Sequence, residues 1–497
     1  MAMIRLILAS ALVAFLGAAE FIPAPKGDAR PTAFKTVPNP VARPLPGPKE
    51  ELELLAKSKL TGDVGWLVVD IETGEVLAAH RANTPFAPAS VAKLPTAAFV
   101  LDRLGRDFRF ETRIAMTGAV RNEVLEGDLV LMGGGDPELD TDALLPLVLQ
   151  AKDQGFRRID GAFIADPGAI QGRPTISADQ PVEAAYNPGV SGLNLNFNRA
   201  RVKWSKAGIR VSAKADRLDP EVPTIEVLRS AEPGQPVFQH ELAETGERWQ
   251  IAETALRRPG EVWLPVKDPS TYAAQVFRDL AEVYGMSLPK ARVETAAGAR
   301  VIAVHQGRPM HRVLRSMLRF STNLTAEAVG MAASGTNDLV PSAAAMNTWA
   351  AGVAGFPAGD PGFQLVKHSG LTTESRLSPR RTVDLLVALA QREGGTHPRL
   401  PGQVAGLLKR HNVAVESDKL DYKRLSVVAK TGTMNFIRGL AGYVATPGER
   451  KLAFAIFSNH LELREQTRNR RHGGWLRRAR ALERALVRNW VRRADQG

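Results

Sequence analysis

The chain has 497 residues, 44 % of them hydrophobic and 24 % charged, with a formal net charge of +13; at roughly 150 residues per domain that is enough for about three domains. These proportions exclude a wholly disordered, collagen-like or polytopic membrane protein. The absence of cysteine excludes disulfide frameworks, cysteine-ligated zinc, iron–sulfur clusters and thiol nucleophiles, so any chemistry falls to oxygen and nitrogen groups.

At the N-terminus Arg5 precedes an uncharged apolar run, Leu6 to Ala19, that ends in the small residues Gly17, Ala18 and Ala19. This is the pattern of a secretory signal, assigned to residues 1–22. An uncleaved anchor extending across Glu20 to Ile22 and a buried N-terminal helix of a cytosolic protein are the alternatives. Pro23 to Pro48 holds eight prolines in 26 residues, a composition that builds no core and reads as a linker. Val64 to Asp70 and Val76 to His80 then flank a Glu72-Thr73-Gly74 turn, as a β-hairpin does. Ser90 opens an apolar helical segment running to Leu104. Pro95 removes the amide that would bond to the carbonyl of Val91, which predicts a distorted start.

From 108 to 297 the texture changes to short alternating stretches, Arg113 to Thr117, Asp128 to Met132, Ile159 to Ile164 and Ala200 to Val211, punctuated by Gly and Pro. Gly133-Gly134-Gly135-Asp136-Pro137 lacks the Lys-Ser/Thr and the helix start of a phosphate loop and reads as a tight turn after a strand. Helical periodicity returns with Val313, Leu314, Met317 and Leu318, a polar break at Ser321-Thr322-Asn323, and more helix at Leu324 to Met331 and Thr382 to Arg392. Three strand-like runs follow, Leu425 to Ala429, Gly439 to Thr446 and Leu452 to Ser458. With the early hairpin they predict a five-stranded antiparallel sheet flanked by helices. The two ends, 49–107 and 298–497, thus build one α/β domain around a strand-rich insertion, 108–297.

The charge is not spread evenly, since eleven Arg against two Glu between Arg464 and Arg493 supply +9 of the +13. Trp475, Ala479, Leu482, Leu486 and Trp490 recur at helical spacing through this segment. It is expected to form a terminal helix packed on its own domain, its Arg face solvated or in weak contact with a membrane surface or anionic polymer. Nucleic acid is the least favoured partner.

Three motifs carry the chemistry: Ser90-x-x-Lys93, Ser321-x-Asn323 and Lys430-Thr431-Gly432. Each alone is common, but here they fall at a helix start, an interhelical break and a strand end. A serine hydroxyl needs a base, and an amine serves near neutral pH only when its ammonium form is disfavoured. Lys93, three residues after Ser90, shares a helix face with it, and burial beside a second cation such as Lys430 would lower its pKa. Ser321 would relay a proton to a leaving amine, and Asn323 can hold a substrate amide. The strand through Thr433 can pair with an extended peptide, its last amide joining that of Ser90 in an oxyanion hole, while the Thr431 and Thr433 hydroxyls meet a terminal carboxylate.

These motifs, in this order, resemble the serine penicillin-binding proteins. Ser90 and Ser321 lie 231 positions apart, room for a whole inserted domain. The chain is therefore most similar to the D-alanyl-D-alanine carboxypeptidase/endopeptidase family called penicillin-binding protein 4, peptidase family S13. Further similar stretches are Phe108 to Gly118, Asp128 to Leu139, Val190 to Asn198, Phe320 to Val329, Ser369-Gly370-Leu371 with Arg376 to Pro379, and Ala429 to Thr433 leading to Tyr443. The resemblance spans about 60 to 459. It implies a penicillin-binding/β-lactamase-like transpeptidase domain and a periplasmic serine DD-peptidase without cofactor or metal. Its partners would be peptidoglycan stem peptides and, as covalent inhibitors, β-lactam antibiotics. By the same resemblance Ser90 is the nucleophile, Lys93 its base, Ser321 and Asn323 the second motif, and Lys430, Thr431, Gly432 and Thr433 the third.

Lys367-His368 stands where the family commonly has Asp-Gly before Ser369, so His368 is read either as a residue supporting the site or as an exposed loop histidine. Asp166 is a candidate for meeting the amino group of a diamino acid, or a turn residue. A catalytically silent wall-binding scaffold and a β-lactamase are the competing functions.

Overall fold

The computed structural model describes residues 49–497 except 169, 171, 233, 244–245, 393–396, 414–424, 468–472 and 497. The signal and the proline-rich linker lie outside these residues.

Near-continuous apolar runs, unlike alternating ones, demand a strand buried on both faces, and the central sheet meets that demand. Its order is Lys409–Arg410, Ser426–Met434, Ile437–Ala445, Lys451–Asn459, Asp63–Asp70, Val76–His80, and every neighbouring pair is antiparallel. Leu67, Val69, Ala455 and Phe457 point to one side, against the helices Lys93–Leu104, Met310–Phe320, Leu339–Ala354 and Pro379–Ala390. Trp66, Val68, Phe454 and Ile456 point to the other, where Leu482, Leu486 and Trp490 of the C-terminal helix, Gly473–Gln496, cover them. The Trp490 and Phe454 rings lie 6.0 Å apart. The Arg-rich segment thus packs on the central sheet along the apolar face expected for it.

One expectation about this region changes. The sheet has six strands rather than five, because the two-residue edge strand Lys409–Arg410 pairs with Val428 and Ala429. The strand runs from Ser426 to Met434, so Lys430-Thr431-Gly432 lies within it, in keeping with the strand through Thr433 expected to pair with a peptide. Beyond Ala429 its outer edge has no strand partner among the described residues. At the helix opened by Ser90, the distortion takes the form of a 3-10 turn, Ala89–Ala92, leading into the α-helix Lys93–Leu104. Pro95 falls in the first turn, where amides have no intrahelical acceptor, so its missing N–H costs little.

The middle of the chain forms a mixed five-stranded sheet, ordered Arg292–Val293, Phe163–Asp166, Leu129–Met132, Glu111–Met116, Arg300–Gln306, with three small three-stranded sheets beside it. Ile159 to Ile164 is two strands rather than one, and Ala200 to Val211 is a hairpin, Arg199–Ser205 and Gly208–Ser212. The Arg300–Gln306 strand pairs with Glu111–Met116, so the chain returns to the central sheet's helices after Gln306, later than a 297/298 boundary. The Gly133–Gly135 run is not itself the expected turn: it leaves Leu129–Met132 as irregular backbone, its Gly133 and Gly135 amides donating to the Asp166 and Gly192 carbonyls at 2.8 and 2.7 Å, and the turn follows at Pro137-Glu138. A Cβ at Gly134 would lie 2.1 Å from the Glu111 carbonyl oxygen, which explains a glycine there without any phosphate.

Trp490 is 1 % exposed between the helix and Phe454. Trp490→Ala should therefore cost about 3–5 kcal/mol of stability, read as a lowered urea midpoint. A midpoint unchanged from the parent would show that the terminal helix is not part of the cooperative unit.

Candidate active site

Local geometry at three chain breaks brings the motifs together. Ala89, at φ 46, turns the backbone into the 3-10 turn that carries Ser90. Gly370 fits beneath it, since a Cβ there would lie 2.0 Å from the Ala89 carbonyl oxygen. Ser321, at φ 60 and ψ 38, ends the Met310–Phe320 helix in the left-handed region, so that Asn323 opens the next helix, Asn323–Ser334. That conformation is uncommon without glycine and occurs at functional turns. A side chain at Gly432 would sit 2.3 Å from the Pro88 carbonyl oxygen and 3.2 Å from the Ser90 amide nitrogen, so only glycine lets the strand lie this close to the nucleophile's turn.

Lys93 is wholly buried and its Nζ has three partners: Ser90 Oγ at 3.0 Å, Asn323 Oδ1 at 2.7 Å and the Ser369 carbonyl at 2.8 Å. Two of these can only accept, whereas the hydroxyl can donate. A neutral amine, with two N–H bonds and one lone pair, satisfies this set by donating to Asn323 and Ser369 and accepting from Ser90. Burial, and then the charge of Lys430, push the Lys93 pKa well below 10.5, while Glu327 opposes them. Lys430 donates to Ser321 Oγ at 3.1 Å and to the Thr431 carbonyl at 2.7 Å. Burial, Arg438 and Lys409 lower it to about 7.

Asn323 spans two parts of the chain, its amide nitrogen donating to the Tyr186 carbonyl at 2.9 Å while its oxygen accepts from Lys93. Thr433 is exposed at the end of the motif strand and Thr431 half-buried. His368 corrects the exposed-loop alternative. It is wholly buried, bonded through Nε2 to Ser342 Oγ at 2.7 Å, and stacked 6.4 Å from Phe99. Gly330 makes room for the ring, because a Cβ there would lie 2.3 Å from it. Burial holds the His368 pKa below 6.5 despite Glu327. Asp166 is 3 % exposed, and its two oxygens accept the amides of Gly168 at 2.8 Å and Ala296 at 3.1 Å. These two backbone bonds are what the turn alternative expects.

Sequence reasoning missed Glu327. Buried on the Asn323 helix one turn after it, Glu327 accepts the backbone N–H groups of His368 and Ser369 at 3.0 and 2.9 Å. It thereby fixes the carbonyl that receives Lys93. A charged residue inside the apolar stretch Leu324 to Met331 was the available signal. Arg438 and Glu483 were missed as well. Their buried ion pair, 2.8 Å between Nη2 and Oε2, links the strand beside the motif to the C-terminal helix.

The model of the D-Ala-D-Ala carboxypeptidase 3 (S13) family matches residues 50–479. Over 461 residues the chain is 27 % identical to a D-alanyl-D-alanine carboxypeptidase of an Actinomadura species, covering 83 % of this chain and 80 % of that one. It is 23 % identical over 436 residues to the D-alanyl-D-alanine carboxypeptidase DacB of Haemophilus influenzae, covering 82 % and 87 %. The crystal structure of penicillin binding protein 4 (dacB) from Haemophilus influenzae superposes with a TM-score of 0.70 at 20 % identity, covering 89 % of this chain and 99 % of that one. That likeness bears out the expected fold class.

Because Glu327 raises the Lys93 pKa, Glu327→Gln should lower it further. The acid limb of the pH profile for Ser90 acylation by a penicillin then moves to lower pH. An unmoved limb, or one displaced upward, would contradict the coupling.

Proposed function

We propose that this chain, which belongs to the D-Ala-D-Ala carboxypeptidase 3 (S13) family and is a serine peptidase, uses Ser90 as the acylated nucleophile on D-alanyl-D-alanine termini of peptidoglycan stem peptides. D-Alanyl cross-links are the second substrate. The observation that carries this reading is the Lys93 amine, buried with two obligate acceptors and the Ser90 hydroxyl.

Lys93 takes the hydroxyl proton as Ser90 Oγ attacks the penultimate D-Ala carbonyl. The developing oxyanion is met by the amides of Ser90 and Thr433. The peptide lies along the open edge of the Ser426–Met434 strand, paired as an added strand. When the tetrahedral intermediate collapses, the Lys430–Ser321 pair protonates the departing D-Ala nitrogen; an amine lowered to about 7 can both give and regain a proton near neutrality. The proton held by Lys93 passes back to the Lys430–Ser321 pair, so that Lys93 is neutral again when water attacks the acyl-enzyme; it takes the water's proton and returns it to Ser90 Oγ as the ester breaks. Asn323 exchanges its bond to Tyr186 for the substrate amide while still holding Lys93. Thr431 and Thr433 donate to the terminal carboxylate.

A β-lactam presents a strained amide and a carboxylate to the same groups and acylates Ser90. The relatives' names, D-alanyl-D-alanine carboxypeptidase and penicillin binding protein, support both halves of this reading. The N-terminal Leu6 to Ala19 run supports secretion to the periplasm, where the stem peptides are.

Purified muropeptides digested with the parent should lose one terminal residue, and cross-linked dimers should split, both read by mass. Ser90→Ala should lower these rates at least about 10^3-fold and take no penicillin adduct. Rapid release of the adduct by the parent would favour a β-lactamase, and absence of any adduct a silent scaffold.

A further inference from the structure

The motif strand and its neighbour place Thr433 directly opposite Arg438. Arg438 is 7 % exposed and its fork is divided between two partners. Nε donates to both oxygens of Glu483 at 2.9 and 3.0 Å, and Nη2 to one of them at 2.8 Å. Nη1 donates to Thr433 Oγ1 at 2.7 Å. Glu483 is 3 % exposed on the C-terminal helix, so the guanidinium is fixed from behind by a carboxylate that no solvent competes for.

A hydroxyl that accepts a bond from a cation has its own hydrogen directed away from that cation, and it is polarised into a stronger donor. Thr433 is exposed, so that hydrogen faces the groove. We propose that Arg438, clamped by Glu483, is a positioning residue that sets specificity for a free terminal carboxylate by holding the Thr433 hydroxyl as a donor. This rests on the DD-peptidase reading and deepens it. The Arg-rich terminal helix then serves the site through one buried acid, and its exposed arginines are not required for that service. An amide terminus offers the Thr433 hydrogen a weaker acceptor and brings hydrogens of its own, so the same arrangement disfavours it.

The test uses the full chain and two peptides ending in D-Ala-D-Ala, identical except for a carboxylate or a carboxamide terminus. Arg438→Lys keeps a cation for Glu483 but cannot reach both partners. It should lower kcat/KM for the carboxylate peptide about tenfold to a hundredfold, the scale of one charge-assisted hydrogen bond, and change the carboxamide value less than about twofold. Thr433→Val, a surface change that leaves the ion pair intact, should collapse the same ratio. The double variant should lose no more than either single one, because both remove one device. Equal losses on both peptides, or losses that multiply in the double variant, would overturn the proposal. A parent that cleaves neither peptide and takes no penicillin at Ser90 would overturn the DD-peptidase reading itself, and this inference with it.

Discussion

A single amine, held where it cannot comfortably keep a charge, governs the rest of this structure. Lys93 is removed from water, faces a second lysine, and is given two acceptors and one hydroxyl. The Ser90 oxygen can accept as well as donate, so these partners would satisfy an ammonium too; burial and the charge of Lys430 disfavour that form, and only the neutral amine can take the serine proton. Desolvation disfavours the charged form of a buried lysine, so the fold does electrostatically what no local motif can do. The opposing influence of Glu327 keeps the shift bounded, because that carboxylate is needed to pin the 368–369 backbone.

Several parts of the fold serve this environment. The central sheet holds the Lys430 strand against the Ser90 turn with no side chain between them at Gly432. Gly370 lets the Ser369 carbonyl approach from another side, and Gly330 admits the His368 ring behind it. Tyr186, from the middle of the chain, reaches the same site through Asn323. Lys367 adds a second link from the 367–369 stretch to the middle, donating to Ser177 Oγ at 2.7 Å. The large central segment therefore contributes to the groove's polar lining as well as to the bulk of the molecule.

What could be read beforehand was whatever is local. Ser90 and Lys93 are three residues apart, Ser321 and Asn323 two, and the Lys430 motif is contiguous, so their chemistry survives in the string of letters. The apolar face of the terminal helix was legible for the same reason, its period being written in Trp475, Ala479, Leu482, Leu486 and Trp490. What could not be read depends on pairings across the chain. Glu327 matters because two amides forty residues later meet it, and Glu483 because strand register aims Arg438 at it. The Lys409–Arg410 strand is too short to carry any periodicity. His368 shows the limit of family analogy: its departure from Asp-Gly was visible, but its burial was set by a glycine on another helix.

The protonation state of Lys93 can be followed directly, by titrating the side-chain carbon next to Nζ in lysine-labelled protein by NMR, with Lys93→Met identifying the resonance. The account predicts a midpoint well below 10.5 that moves lower still in Glu327→Gln. A Lys93 resonance that keeps the ammonium shift up to or beyond 10.5 would contradict it.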